Sequence, residues 1–278
     1  MKQILIYNNH HFHYEIIETV MVKCRELLNL SNNMPIQIHI HTIGSDEFKK
    51  YIKIKYPTIR IGDCKNFDYS INCTIYDKEY NQLDRKPGSK CKYISHEITK
   101  RLTENPNVYF LTPLAKTNYL NANVLPFTEP KRVSDVPIYI IQGHIERRNL
   151  ALLIKILDKK YDHYFMIKLL GKYSLPKSLE KYKDRIILKQ NLNFVDYHKE
   201  FSSAYCILPL ITKQSHPQYY SAKLTSSINY ATGYNLKCII DQDLQNIYQL
   251  KNVEVFNNID DVTNAFEKSL NSFYTTGH

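Results

Sequence analysis

Three groups of residues in this 278-residue chain combine types and spacing that suit chemistry. The first is Asn8-Asn9-His10-His11-Phe12-His13-Tyr14-Glu15, directly after a short apolar run. An imidazole with a free pKa of about 6.5 exchanges protons near neutral pH, which singles out His11 and His13, with Glu15 as a carboxylate able to orient them. Histidines that cap a helix or contact a ligand fit the same pattern, and both readings stand. His96-Glu97 is a second such pair, again after an apolar run. The third group is basic. Gly143 permits a tight turn within Gln142-Gly143-His144-Ile145-Glu146-Arg147-Arg148-Asn149, and the two arginines offer planar, permanently charged donors of the kind that bind phosphate, or else solvated helix positions. In residues 221–233, Ser221 reads as a helix N-cap and Gly233 as its stop, which puts Lys223 in the first turn. A cation there opposes the helix dipole, an arrangement that makes sense if an anion such as a diphosphate occupies the same end.

Regular elements must hold these groups, and the second half of the chain is the more legible. Strands are expected at 138–141, 164–170, 185–188, 206–210, 236–240 and 253–256. They alternate with helices at 150–157, 177–183, 193–204, 221–232, 244–250 and 260–270. Continuous apolar strands between amphipathic helices imply a parallel sheet covered on both faces. The first half repeats the theme, with a strand at 3–7 and a helix whose apolar stripe is Ile16, Ile17, Val20, Met21, Cys24, Leu27 and Leu28. Further strands are expected at 36–40, 58–61, 71–76, 92–94, 108–111 and 123–125, with helices near 47–54 and 96–102. Residues 126–137 carry three prolines and several charges without apolar period, which is linker composition. The reading is an α/β chain of two Rossmann-like domains, 1–130 and 131–278, each a parallel sheet with helices on both faces. Ligands in such sheets bind beyond the carboxyl ends of the strands.

Residues 138–270 resemble the donor-binding domain of GT-B glycosyltransferases, particularly the family 4 and family 1 type enzymes. The likeness rests on IYIIQGHIERRNLALLIKIL, on YFMIKLLGK, on DRIILKQNLNFVDYHKEFSSAYCILPL and on YYSAKLTSSINYATGYNLKCII. The resemblance implies transfer of a sugar from a UDP- or GDP-linked donor to a hydroxyl acceptor. It implies that Gly143, Arg147 or Arg148, Ser221, Lys223 and Thr225 surround the donor diphosphate and that Lys189 and Gln190 lie beside the base. The histidine loop is similar to one in which some inverting GT-B enzymes place the base that accepts the acceptor's proton, so His11, His13 and Glu15 are the expected catalytic residues, with His96 and Glu97 on the acceptor side. The chain departs from the family pattern of two glutamates around the donor helix, having Gln218 and Ser226 instead. The same architecture also serves sugar-nucleotide epimerases, and a non-catalytic protein binding a nucleotide sugar or RNA is a further alternative.

Composition narrows these choices. A net charge of +10 favours anionic partners, but the basic excess is spread over both halves, and no aromatic and basic RNA-binding signature occurs, so nucleic acid is not the expected partner. Abundant Lys, Asn, Ile and Tyr without Trp resembles proteins of AT-rich parasites or giant DNA viruses. Six cysteines without a C-x-x-C pair suit buried thiols in a reducing compartment, and neither a signal peptide nor an 18-residue apolar run is present, so a cytoplasmic protein is expected. Asp241-Gln-Asp243 imitates a metal-binding D-x-D but lies too near the C-terminal end to serve an acceptor site, and the histidines, including His39 and His41, lack the helical spacing of zinc ligands. No metal and no cofactor beyond the donor substrate are expected. The absence of G-x-G-x-x-G after any strand argues against a dinucleotide dehydrogenase.

Overall fold

The computed structural model describes residues 1–11, 13–121, 123–126, 134–172 and 174–276. Two compact units emerge: Met1–Leu125 with Ala222–Leu224, and Pro126–Ser221 with Thr225–His278. Of the expected linker, residues 127–133 lie outside the described residues.

The first unit contains β1 (Lys2–Asn8), α1 (Tyr14–Leu27), β2 (Ile36–Thr42), α2 (Asp46–Lys55), β3 (Arg60–Ile61), β4 (Tyr69–Ile75), β5 (Cys91–Ser95), α3 (Lys100–Thr103) and β6 (Val108–Phe110). All six strands run parallel in the order β3-β2-β1-β4-β5-β6. Asn8 lies opposite Thr42, so β1 and β2 end together. The order reverses direction between β1 and β4, and right-handed crossovers leading outward from such a point place their helices on opposite faces. Helix α1 buries Ile16, Ile17, Val20, Met21, Cys24 and Leu27, the stripe expected from the sequence.

The second unit repeats the plan with β7 (Ile138–Gln142), α4 (Leu150–Asp158), β8 (Met166–Gly171), β9 (Ile186–Gln190), α5 (Phe194–Ser202), β10 (Cys206–Ile207), α6 (Ser226–Gly233), β11 (Lys237–Asp241), α7 (Gln242–Tyr248), β12 (Val253–Phe256) and α8 (Val262–Thr275). Its parallel order is β12-β11-β10-β7-β8-β9, with the reversal between β7 and β10. Tyr139, Phe165 and Phe266 form an aromatic centre to its core. Aromatic side chains remove about 150–250 Å² each from water, worth several kcal/mol apiece at ~25 cal/mol per Å².

Several expectations need correction. Residues 123–125 form no strand. The helix expected from residue 96 is only α3, because Ser95 Oγ accepts the Glu97 N–H and donates to the Glu97 carbonyl, a local turn that delays the helix to the Thr99 cap. The helix expected from Ser221 begins at Ser226, with Thr225 as N-cap. Ser221 instead closes a 3₁₀ turn, Pro217–Tyr220, and its hydroxyl donates to the Pro217 carbonyl at 3.1 Å. Lys223 therefore precedes α6, in an extended segment bridged to Glu97, and is not in its first turn.

Candidate functional site

In the first unit the chemistry gathers at the carboxyl end of β1. Asn8 is fully buried, and its side-chain oxygen accepts the His10 N–H at 3.1 Å, turning the chain as the strand ends. His13 then adopts φ 64°, a left-handed conformation uncommon for a non-glycine residue, and immediately precedes α1. Its Nδ1 lies 3.2 Å from Glu15 Oε1, and its ring stacks on that of His96 with centroids 3.7 Å apart and planes at 25°. Burial pushes the Glu15 carboxyl up, but the hydrogen bond and charge of His13 and a backbone N–H outweigh it, so the group sits below its ordinary value. His96, at the end of β5, is driven by burial down to about 3, and the charge of His13 adds to the shift. Its Nε2 is buried without a hydrogen-bond partner. His11 is exposed and apart from this cluster, lying against Gly44, where an added Cβ would fall 3.1 Å from its Nδ1.

Glu97 serves differently from its neighbour. Its Oε2 pairs with Lys223 Nζ at 2.9 Å, while Ile98 donates its N–H to the Ala222 carbonyl at 2.8 Å. The Lys223 ammonium thus already has a carboxylate. Sequence inspection passed over Tyr76 and Glu79, on which His10 rests: the rings of His10 and Tyr76 meet edge-on at 5.3 Å, and Glu79 Oε1 lies 3.9 Å from His10 Nε2. Nothing local marks them, because they follow β4 and reach β1 only through the strand pairing.

His96 carries a pH consequence. As pH falls below about 6.5 the unfolded chain binds a proton that the folded ring refuses until pH reaches about 3, so stability drops on acidification across that window. Between pH 7 and 4.5 the wild type is expected to lose roughly 2 kcal/mol more than His96→Phe, which keeps the stacking ring but cannot titrate. Urea unfolding at the two pH values measures this, and equal losses would remove the assignment.

In the second unit the sites converge where the strand order reverses. Strand β7 ends at buried Gln142, followed by Gly143 at φ 87°. Arg148 folds back over this turn, donating from Nη2 to the Gln142 carbonyl at 2.7 Å. Burial lowers the pKa of its guanidinium, and among the described residues no carboxylate pairs with it. Arg147, by contrast, is exposed. Gln142 Nε2 donates to Ser226 Oγ at 2.9 Å, tying the end of β7 to the start of α6. Thr225 is buried and its side chain does not cap α6, while Gln142 Oε1 and Ser227 Oγ are buried without partners. Gln142 therefore links the Arg148 guanidinium, bound to its carbonyl, to an α6 terminus whose N-cap side chain makes no capping bond, next to a glycine, the ingredients of an anion site.

Beside it lies a cavity of about 430 Å³ at the ends of β7, β8 and β9, lined by Gly143, Gly171, Lys189, Asn191, Leu192 and Tyr197 among others. Lys189 is half exposed there and 3.7 Å from Glu200. Gln190 ends β9 but is not part of the lining. Asn191 and Tyr197 were missed from sequence; the left-handed turn at Asn191 and the position of Tyr197 on α5 are set by packing. A Cβ on Gly171 would fall 2.6 Å from the Gly143 carbonyl oxygen. Gly171→Ala is expected to cost about 1–3 kcal/mol by overpacking two backbones and to distort this cavity, measurable as a lower Tm.

The D-x-D look-alike is otherwise engaged. Asp241 Oδ1 accepts the Leu244 N–H at 2.8 Å as N-cap of α7, and the Tyr220 hydroxyl donates to its Oδ2. No group of three or more potential metal ligands occurs among the described residues. All six cysteines are free, and no helix among the described residues is long and apolar enough to cross a membrane.

The sequence matches no protein-family model and no curated protein. Solved structures do resemble the fold. AviGT4, a glycosyltransferase involved in avilamycin A biosynthesis, aligns with a TM-score of 0.54 at 9% identity, covering 99% of this chain and 93% of its own. The lipopolysaccharide outer core galactosyltransferase WaaB, in its apo form, gives 0.53 at 13% identity over 98% and 91%. The UDP-GlcNAc 2-epimerase of Methanocaldococcus jannaschii gives 0.53 at 11% identity over 98% and 93%. At such identities the likeness concerns the fold, and the chain has the α/β architecture of GT-B proteins, with two six-stranded parallel sheets.

Proposed function

We propose that this chain is an enzyme that binds a UDP- or GDP-linked sugar in its second unit and transfers the sugar to a hydroxyl acceptor. The observation that carries the reading is the partly buried Arg148 guanidinium, without a carboxylate partner among the described residues, held on the Gln142 carbonyl while the Gln142 side chain reaches Ser226 at the start of α6. A diphosphate supplies the missing negative charge, and the neighbouring cavity of about 430 Å³ receives the nucleoside. In the reaction the bond between the sugar's anomeric carbon and the phosphate oxygen breaks, and the leaving diphosphate gains charge that Arg148 and the α6 N–H groups stabilise.

In the first unit, His13 accepts the proton of the acceptor hydroxyl. Glu15, as an acceptor-only carboxylate, holds the proton on His13 Nδ1, which makes Nε2 the basic nitrogen, and its charge stabilises the imidazolium that forms. The acceptor oxygen then bonds to the anomeric carbon with inversion. His96 acts through its stack on His13. Lys223, already paired with Glu97, is assigned no part in binding the diphosphate. Positive charge from the protein makes a divalent metal unnecessary, and six free thiols suit the reducing cytoplasm.

The test is incubation with a panel of UDP- and GDP-sugars and hydroxyl acceptors, with and without EDTA. Free nucleoside diphosphate together with a glycosylated acceptor of inverted configuration, unchanged by EDTA, supports the reading. Epimerised sugar without acceptor dependence would assign the chain to the reaction of the epimerases that share its fold, and absence of nucleotide binding would remove the proposal.

A further inference from the structure

A second hollow of about 380 Å³ opens on the carboxyl edge of the second sheet, beyond β10, β11 and β12. It shares no lining residue with the cavity at β7, β8 and β9, and lies on the other side of the strand-order reversal. Its volume falls within the range of about 300–1,000 Å³ usual for small-molecule sites.

The lining identifies the class of ligand. Its charged groups are Asp241, Asp243 and Lys213. Asp241 is committed to Leu244 and Tyr220, and Lys213 Nζ is 3.4 Å from Asp243. An anion entering would meet two carboxylates against one ammonium that is already paired, so phosphates and organic acids are disfavoured. The uncommitted groups are neutral: the carboxamides of Asn149, Gln214 and Asn257 line the hollow and form no hydrogen bond among the described residues. Each carboxamide presents a donor pair and an acceptor, matching neighbouring hydroxyls that donate and accept at once. Ile259, 37% exposed, adds an apolar wall for the C–H face of a ring. No accessible aromatic side chain is present to stack on a base, as Phe256 is only 4% exposed.

We infer that this hollow is a second binding site, for a neutral mono- or disaccharide, distinct from the donor cavity and independent of whether that cavity holds a nucleotide sugar. The experiment uses the full chain and a panel of methyl glycosides of glucose, galactose, mannose and N-acetylglucosamine with maltose and lactose, read by saturation-transfer NMR and titration calorimetry. At least one sugar is expected to bind in the millimolar range, and Asn257→Leu combined with Gln214→Leu is expected to weaken it by about tenfold or more. Both side chains are exposed, so the variant should keep the wild-type Tm, and UDP and GDP binding should be unchanged. Absence of saccharide binding up to tens of millimolar, undiminished binding by the double variant, or displacement of the sugar by UDP or by inorganic phosphate would each overturn the inference.

Discussion

Replacing Arg148 with alanine is expected to lower kcat/KM for nucleotide-sugar turnover by about 100-fold or more, roughly 3 kcal/mol, the scale for removing one preorganised donor from a site where charge develops. The effect should be large because the guanidinium is partly buried, with its pKa lowered by desolvation, and no carboxylate accompanies it among the described residues. Its attraction for a diphosphate is therefore only partly screened by water and not consumed by a carboxylate. Arg148→Lys keeps the charge but loses the planar fork, and should recover only part of the loss. Because Arg148 also donates to the Gln142 carbonyl, the measurement must include nucleotide affinity and Tm. An Arg148→Ala variant that is stable and binds UDP and GDP within twofold of wild type would sink the proposed donor site.

Removing the carboxylate of Glu18 is expected to be the most damaging single change to stability. Glu18 is buried in α1, where the Tyr51 hydroxyl donates to it at 2.8 Å, the Tyr56 hydroxyl at 2.8 Å, and Lys55 Nζ lies 2.7 Å away. All three partners come from α2 or its C-terminal cap, so one side chain fastens the two helices. Burial pushes the Tyr56 phenol upward, and its hydrogen bond to the Glu18 charge pushes further in the same direction. Glu18→Leu leaves two hydroxyls without their acceptor and the Lys55 ammonium with only the Tyr51 oxygen, and should cost about 3–5 kcal/mol. Chemical denaturation measures this, and Glu18→Leu combined with Lys55→Leu should recover part of the loss through the coupling of adjacent sites. Glu18 sits one turn after Glu15, so a loosened α1 should also disturb the pairing of His13 with Glu15. A loss below about 1 kcal/mol would show that the cluster contributes no more than a surface pair.

Much of the fold was legible because its signals are local and repeated. The apolar runs of β1, β7, β8 and β11 and the stripe of α1 fixed parallel α/β units without reference to distant residues. Errors fell where short polar side chains redirect the backbone. Ser95 bonds its own neighbour and defers α3, and residues 221–225 form a turn and then an extended stretch although helix-forming residues follow them.

For the candidate sites, residue types were readable and partnerships were not. That His13 and Glu15 could pair followed from a spacing of two residues, and that a glycine and arginine loop should follow β7 followed from its sequence. Tertiary structure alone decided that His96 stacks on His13, that Arg148 is partly buried while Arg147 is exposed, that Lys223 joins Glu97, and that Gln142 reaches Ser226. Composition and period record how each segment buries itself. Charge pairing depends on distances of a few ångströms between segments tens of residues apart, and those distances exist only once the strands have aligned.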